Sequence, residues 1–184
     1  MNDKVKDILS WVLVLAAGVA IGLILRNKVL LIASIPSGSM EETIMTGDIV
    51  MGNRLSYLNK SPERGDIVMF YAPDEPDTLY IKRIIGLPGE TITISDAKIY
   101  VNDSDKPLYE DYLPEDWVWA NDGYVFEVPE GCYLMLGDNR NGSLDARLWT
   151  NTYVTEDAIQ AKAICILFPF GHIAKLNNYE YAEY

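Results

Sequence analysis

The sequence predicts a mainly β protein, with a single N-terminal transmembrane helix followed by an antiparallel β-barrel or sandwich domain that carries a small inserted cap. Three observations predict this fold class. Residues 8–25 form a run of 18 residues without a charge. Beyond residue 34, short runs rich in Val, Ile, Tyr and Phe alternate with Gly, Pro, Asp and Asn. Helical periodicity is nearly absent there, which favours an all-β architecture.

The apolar run at 8–25 is long enough to cross a bilayer. As a helix it would span about 27 Å, close to the thickness of the hydrocarbon layer. A buried core helix and a cleaved signal peptide are the alternatives. Arg26 and Lys28 follow the run, where a cleavage site would need small residues. We therefore interpret it as an uncleaved anchor whose partner is the lipid bilayer. Two basic residues lie on each side, so the charge count leaves its orientation open.

Eight segments have the composition of half-buried strands, because β-branched and aromatic residues dominate them. They are 48–51, 66–71, 79–85, 91–94, 98–102, 124–128, 132–136 and 160–168. Residues 103–130 differ, since they hold nine acidic residues and one basic residue with aromatic residues between them. This segment is either an inserted cap or a solvated acidic loop.

Charge and composition exclude several classes of function. The net charge is −12, and it is −14 without the basic residues 1–28, so a phosphate backbone would be repelled and nucleic acid is not an expected partner. The only histidine, His172, lies near the C-terminus and is interpreted as a surface or packing residue. Cys132 and Cys165 cannot form a zinc site alone, so no metal and no cofactor are expected. We expect both to be free, packed thiols, although a disulfide stays possible.

Three elements could carry chemistry. The first is the turn Ile35-Pro36-Ser37-Gly38-Ser39-Met40, in which two hydroxyls lie two residues apart. The second is Lys82, which lies in an otherwise apolar strand where burial would lower the pKa of its amine. The third is the turn-rich stretch 137–147. Taken separately, these elements are more typical of a linker, an exposed basic pair and a structural loop, respectively.

Together and in this order, the three elements resemble the bacterial type I signal peptidases, or leader peptidases. The resemblance covers most of the chain. It rests on Pro36-Ser37-Gly38-Ser39-Met40, Arg64-Gly65-Asp66, Lys82-Arg83-Ile84-Ile85-Gly86, and Gly137-Asp138-Asn139-Arg140 with Ser143, Asp145 and Arg147. Each box alone is weak, but four boxes in order are highly specific.

The resemblance implies a membrane-bound Ser/Lys endopeptidase without a cofactor, which removes signal peptides from exported preproteins by cutting after small residues. Ser39 would be the nucleophile and Lys82 the general base, with Ser37 and the Ser39 N–H forming the oxyanion hole. The resemblance further implies site-orienting residues (Ser143, Asp145, Arg147 and Arg83) and substrate pockets (Ile35, Met40, Ile44, Tyr80 and Ile81). Ordinary core packing is the alternative for the pocket residues.

By the family's topology, residues 1–7 would be cytoplasmic, 8–25 would cross the plasma membrane once, and the catalytic domain 34–184 would lie outside. The chain departs from the family at Glu42, where proline is usual, and at Ala146, where serine is common. A non-catalytic or substrate-restricted relative that assists surface-protein assembly is the alternative function, and a self-cleaving Ser/Lys regulator is a second one. The oligomeric state stays open.

Overall fold

The computed structural model describes residues 3–113, 116–117, 123–177, 179 and 181. Helix α1 (Asp3–Ile24) begins the described chain and continues into a π-helical turn at Leu25–Val29. The segment Leu9–Val29 has a mean hydropathy of 2.2, and none of it is buried against the rest of the protein. The buried core helix considered above is therefore wrong, and the helix is long and apolar enough to cross a membrane.

In the part of the chain that the structure describes, eleven strands follow, almost all of them short. Their bounds are β1 (Leu30–Ser34), β2 (Ile49–Asn53), β3 (Ile67–Tyr71), β4 (Leu79–Gly86), β5 (Thr91–Ser95), β6 (Lys98–Val101), β7 (Tyr124–Glu127), β8 (Cys132–Leu136), β9 (Val154–Thr155), β10 (Ile159–Phe168) and β11 (Ala174–Lys175). Single 3₁₀ turns at Glu156–Ala158 and Phe170–His172 flank β10.

The strands form two antiparallel sheets. The larger sheet has the order β1-β2-β10-β3-β4-β8-β9, with β11 added to β10, and the smaller one has the order β6-β5-β7. Among the described strands, β1 and β9 end the order of the larger sheet, so it stays open. Of the two predicted alternatives, the fold is therefore sandwich-like and not a closed barrel.

Apolar side chains fill the space between these layers. One cluster joins the smaller sheet to β4 and β8 through residues such as Ile85, Ile92 and Leu134. A second lies under β1, β2 and β10 and includes Val50, Met69 and Ile166. Alternating burial in β5, where Ile92 and Ile94 are fully buried, matches the period of two of a strand with one solvated face.

All eight strands expected from the sequence are present, within two residues at each end. The sequence missed β1 because Leu30–Ser34 continues the apolar character of the helix without a turn signal. It missed β9 and β11 because two residues are too few to show an alternating pattern.

The acidic segment 103–130 is partly integrated into the fold. Its last part contains β7, which pairs with β5, and Leu108 and Trp117 are buried in the core cluster of the smaller sheet. The solvated acidic loop is therefore not the conformation of these residues, which pack on the smaller sheet. Cys132 and Cys165 are free, half-buried thiols, as expected.

Candidate active site

The turn that carries Ser39 is fixed to the end of β1. The Ile35 N–H donates to the Asp48 carbonyl oxygen at 2.9 Å, and the Gly47 N–H donates to the Ile35 carbonyl oxygen at 2.8 Å. After Ile35 the chain enters a series of turns. Ser39 is buried, with 7% of its surface exposed, whereas Ser37 is exposed. The two serines therefore differ in burial, yet both lie on the wall of the same cavity.

Lys82 reaches Ser39 from the middle of β4. Its Nζ lies 2.8 Å from Ser39 Oγ and donates to the Ile81 carbonyl oxygen at 3.1 Å. Only 4% of Lys82 is exposed, and its neighbour Arg83 is as deeply buried. Successive residues of a strand point to opposite faces of the sheet, so Lys82 lies on one face and Arg83 on the other.

Burial decides the charge of the Lys82 amine. Loss of hydration lowers its pKa from 10.5 to about 8, although the carboxylates of Asp145 and Asp138 act in the opposite direction. A neutral fraction of the amine is therefore present near neutral pH. Only this form has the lone pair that accepts a hydroxyl proton.

The 137–147 loop holds the serine turn from the other side. The Asn139 N–H donates to the Ser39 carbonyl oxygen at 3.1 Å, and Asn139 Nδ2 donates to the Gly38 carbonyl oxygen at 2.9 Å. Gly137 lies so close that a Cβ there would be 2.4 Å from the Ser39 carbonyl oxygen and 2.2 Å from Ser143 Oγ. Glycine is therefore required at position 137 if the loop is to approach Ser39.

Buried ion pairs fix this loop, and two of them lie next to Ser39 and Lys82. The predicted pair is present, since Arg147 Nε and Nη2 donate to the two Asp145 carboxylate oxygens at 2.8 Å each. Asp145 also accepts the Gly137 N–H at 3.0 Å. The second pair joins Arg83 to Asp138, with two hydrogen bonds of 2.8 and 2.7 Å.

The sequence analysis missed Asp138 as a member of this framework. It is fully buried, and besides Arg83 it accepts the Thr43 hydroxyl at 2.6 Å. It thus links β4, the serine turn and the 137–147 loop. The sequence does contain a signal for it. Asp138 comes just after the apolar strand 132–136, and Arg83 lies in another apolar strand, where a buried arginine needs an acidic partner.

Ser143 lies beside this site without a partner. It is buried, and its Oγ accepts and donates no hydrogen bond among the residues that the structure describes. The expected contact with the Lys82 amine is therefore not formed in this state. An unpaired buried hydroxyl is unfavourable, so this side chain costs the folded protein stability.

We expect Ser143→Ala to lower kcat by about tenfold, because the family resemblance gives this hydroxyl the role of orienting the Lys82 amine during the reaction. It should cause no loss of stability, because removing an unpaired buried hydroxyl removes a desolvation cost. Thermal unfolding and turnover of the same preparation check this. Ser95→Ala, at an exposed position of β5, is the matched control. Unchanged turnover in Ser143→Ala would exclude Ser143 from the site.

A cavity of about 320 Å³ lies beside Ser39 and Lys82. Its wall includes the predicted pocket residues Ile35, Tyr80 and Ile81. Met40 and Ile44 are fully buried in the core cluster under β1 and β2 and do not line it, so the alternative of ordinary core packing holds for these two. Sequence reasoning did not assign the remaining wall residues (Ala33, Ser34, Pro36, Met69, Thr78, Leu79, Gly142 and Leu144).

Glu42, the residue that departs from the family pattern, has a φ of 58°. Proline has a φ fixed near about −65° and cannot occupy this position. The usual family residue would therefore break this turn, which also holds Thr43 against Asp138. His172 is half-buried and lies 3.0 Å from Asp48, outside the Ser39 cavity, in agreement with a packing role.

A buried serine hydroxyl in contact with a buried lysine amine, at the wall of an apolar cavity, fits the class of serine hydrolases that use lysine in place of histidine. The sequence profile of the family described as "Signal peptidase, peptidase S26" matches residues 8–168. The chain therefore belongs to this family of serine endopeptidases.

Individual relatives are similar over most of their length. Signal peptidase I of Leptolyngbya laminosa is 32% identical over 181 residues, which cover 93% of this chain and 85% of the relative. Probable signal peptidase I-2 of Synechocystis is 34% identical, with 92% and 77% covered. The crystal structure of a signal peptidase I from Enterococcus faecalis is 32% identical and has a TM-score of 0.47, covering 56% of this chain and 97% of that one.

Proposed function

We propose that this protein is a membrane-anchored endopeptidase that removes N-terminal signal peptides from exported preproteins by a Ser39–Lys82 mechanism. The 2.8 Å contact between Ser39 Oγ and Lys82 Nζ carries the proposal. Family membership supports the substrate class. No contact in the described residues favours the non-catalytic alternative, which gives no reason for a lysine amine of lowered pKa to be buried against Ser39 Oγ.

In the proposed reaction, the neutral Lys82 amine accepts the Ser39 hydroxyl proton as Oγ attacks the peptide carbonyl carbon. The Ser39 N–H and the Ser37 hydroxyl donate to the oxyanion that forms, a contribution of about 3 kcal/mol per donor. The Lys82 ammonium then returns the proton to the leaving amine. A water molecule, deprotonated by the same amine, hydrolyses the acyl-enzyme and regenerates Ser39.

Open strand edges beside the cavity would bind the substrate. Residues Leu79–Ile81 of β4 pair with β3, whereas β8 joins β4 only from Arg83 onward. On the other side of the cavity, β1 pairs with β2 along one edge. An extended peptide that adds to either edge would place its carbonyl beside Ser39, and alternate side chains would enter the apolar walls formed by Ile35, Tyr80 and Ile81.

The membrane placement is part of the proposal. The helix 8–25 would anchor the protein in the plasma membrane, with residues 1–7 in the cytoplasm and the catalytic domain 34–184 outside. The exposed apolar side chains of the helix and the absence of a flexible linker before β1 support an anchor that stays attached.

The direct test is cleavage of a preprotein with an Ala-x-Ala site by the full chain in detergent, with the cut position read by mass spectrometry. We expect cleavage after the second Ala. The matched substrate, with Trp in place of that Ala, should stay intact because an indole exceeds the pocket expected for a small side chain. Failure of the folded protein to cut any such preprotein would contradict the proposed function.

The pH dependence follows from the lowered pKa of Lys82. The base must be neutral, so kcat/KM should rise with pH, level off above about 8, and fall by about tenfold per unit below that value. Initial rates between pH 5 and pH 10 check this. A flat profile down to pH 5 would contradict a lysine base.

A further inference from the structure

The C-terminal tail meets the acidic segment and the 137–147 loop at a cluster of three tyrosines, Tyr112, Tyr179 and Tyr181. The Tyr112 and Tyr181 hydroxyls lie 2.7 Å apart. The ring centroids of Tyr112 and Tyr179 are separated by 4.7 Å, and those of Tyr179 and Tyr181 by 4.8 Å. Edge-on contacts at these distances are favourable, so the side chains of Tyr179 and Tyr181 help to hold these two residues in place.

Two buried arginines lie against this tyrosine cluster. The Arg83 guanidinium carbon is 4.1 Å from the centre of the Tyr112 ring. Arg140 donates to the Tyr112 hydroxyl at 3.0 Å and to both Glu110 carboxylate oxygens, at 3.0 and 2.6 Å. Burial raises the pKa of Tyr112 and of Tyr181, so both phenols stay neutral and offer their rings and hydroxyls to these cations.

The same arginines hold the loop that contacts Ser39. Arg140 Nε donates to the Gly137 carbonyl oxygen at 2.9 Å, and the Arg140 carbonyl oxygen accepts from Arg147 at 2.9 Å. On the other side, Arg83 binds Asp138 and also donates to the Gly65 carbonyl oxygen at 2.8 Å. The Tyr179 N–H donates to that same carbonyl oxygen.

We propose that Tyr181 is a positioning residue for catalysis: through Tyr112 it fixes Arg83 and Arg140, and these hold the 137–147 loop against Ser39. The C-terminal tail would thus complete a site to which it contributes no reacting group. This inference rests on the proposed function of Ser39 and Lys82. It gives the acidic segment a role too, because Glu110 and Tyr112 are the partners through which the tail acts.

Removing contacts within the tyrosine cluster should change the hydration of the Lys82 amine as well as the rate of cleavage. The groups in contact with the Lys82 amine are Ser39 Oγ, the Ile81 carbonyl oxygen and the Tyr80 ring, and the carboxylates of Asp138 and Asp145 act on its pKa electrostatically. Both carboxylates belong to the loop that the arginines hold. When this loop moves, the carboxylates leave and water reaches the amine. Loss of the carboxylates acts to lower the pKa of Lys82, but burial is the larger cause of its shift, so hydration should raise the pKa toward the ordinary lysine value.

The experiment compares Tyr181→Ala, Tyr181→Phe and the matched control Tyr109→Ala in the full chain, the last at a position 69% exposed in the same acidic segment. For Tyr181→Ala we expect kcat to fall by about tenfold to a hundredfold with little change in KM, because small displacements of a catalytic group are costly. The kcat/KM profile should shift to higher pH. Tyr181→Phe keeps the ring and should recover most of the rate, and Tyr109→Ala should match the wild type.

A second readout separates this inference from the proposed function. Reaction of Ser39 with a fluorophosphonate, followed by intact mass across the same pH range, requires no preprotein. A wild type that reacts but cuts no preprotein would overturn the proposed substrate and leave the Tyr181 comparison intact. Wild-type rates and profile in Tyr181→Ala would overturn the positioning role. The positioning role would also be overturned if the rate of Tyr181→Ala fell only in proportion to its unfolded fraction and its kcat/KM profile with pH did not change.

Discussion

Replacing Lys82 by methionine is expected to lower kcat by about 10⁴-fold to 10⁶-fold, the range seen when one member of a nucleophile–base unit is removed. Without the amine, no described group within hydrogen-bonding distance accepts the Ser39 proton. Methionine has a similar length and no charge, so the buried position should tolerate it. The measurement is single-turnover cleavage of the preprotein beside thermal unfolding of the same variant.

Controls make this result specific. Lys98→Met removes an exposed lysine of β6 and should leave the rate unchanged. Ser39→Ala should lose as much activity as Lys82→Met, and the double variant should lose little more, because the two groups act as one unit. Additive losses in the double variant, or substantial cleavage by Lys82→Met, would contradict the dyad.

Replacing Asp138 by alanine is expected to lower the free energy of unfolding by about 3–5 kcal/mol, the cost of leaving one partner of a buried ion pair alone. The Arg83 guanidinium is 3% exposed and, among the described residues, would keep only the Gly65 carbonyl oxygen as acceptor. The Thr43 hydroxyl would also lose its partner. Urea unfolding in detergent, followed by tryptophan fluorescence, measures the change.

An exposed ion pair provides the comparison. Lys60 and Glu63 lie 3.5 Å apart with half or more of each side chain exposed. Glu63→Gln should therefore change the free energy of unfolding by less than about 1 kcal/mol. A loss of similar size in the two variants would show that burial does not set the strength of the Arg83–Asp138 pair.

Much of the fold could be predicted because its signals are local. The apolar run of the helix and the alternating residues of β5 depend only on neighbours in the sequence. The strand pattern could not show which of Lys82 and Arg83 faces the serine turn, because alternation makes the two positions equivalent. The family resemblance identified Lys82. The structure supplies the physical distinction, which is that each cation faces a different long-range partner.

The remaining parts of the site depend on contacts between distant segments. Asp138 joins residues 43 and 83, and Tyr181 joins a segment about 70 residues earlier in the chain, so no local pattern indicates either contact. Met40 and Ile44 could not be separated from pocket residues for a related reason. Their apolar character suits a cavity wall and a core equally, and only the path of the turn buries them.

The direct junction between the helix and β1 limits how far the cavity can lie from the end of the apolar helix. Val29 ends the π-helical turn, and Ser34, five residues later, already lines the cavity. An extended chain of five residues reaches at most about 18 Å. With the helix in a bilayer, this limit would keep the cavity close to the membrane surface. A substrate whose own apolar segment lies in the same membrane would then be cut at a peptide bond within about 18 Å of the lipid.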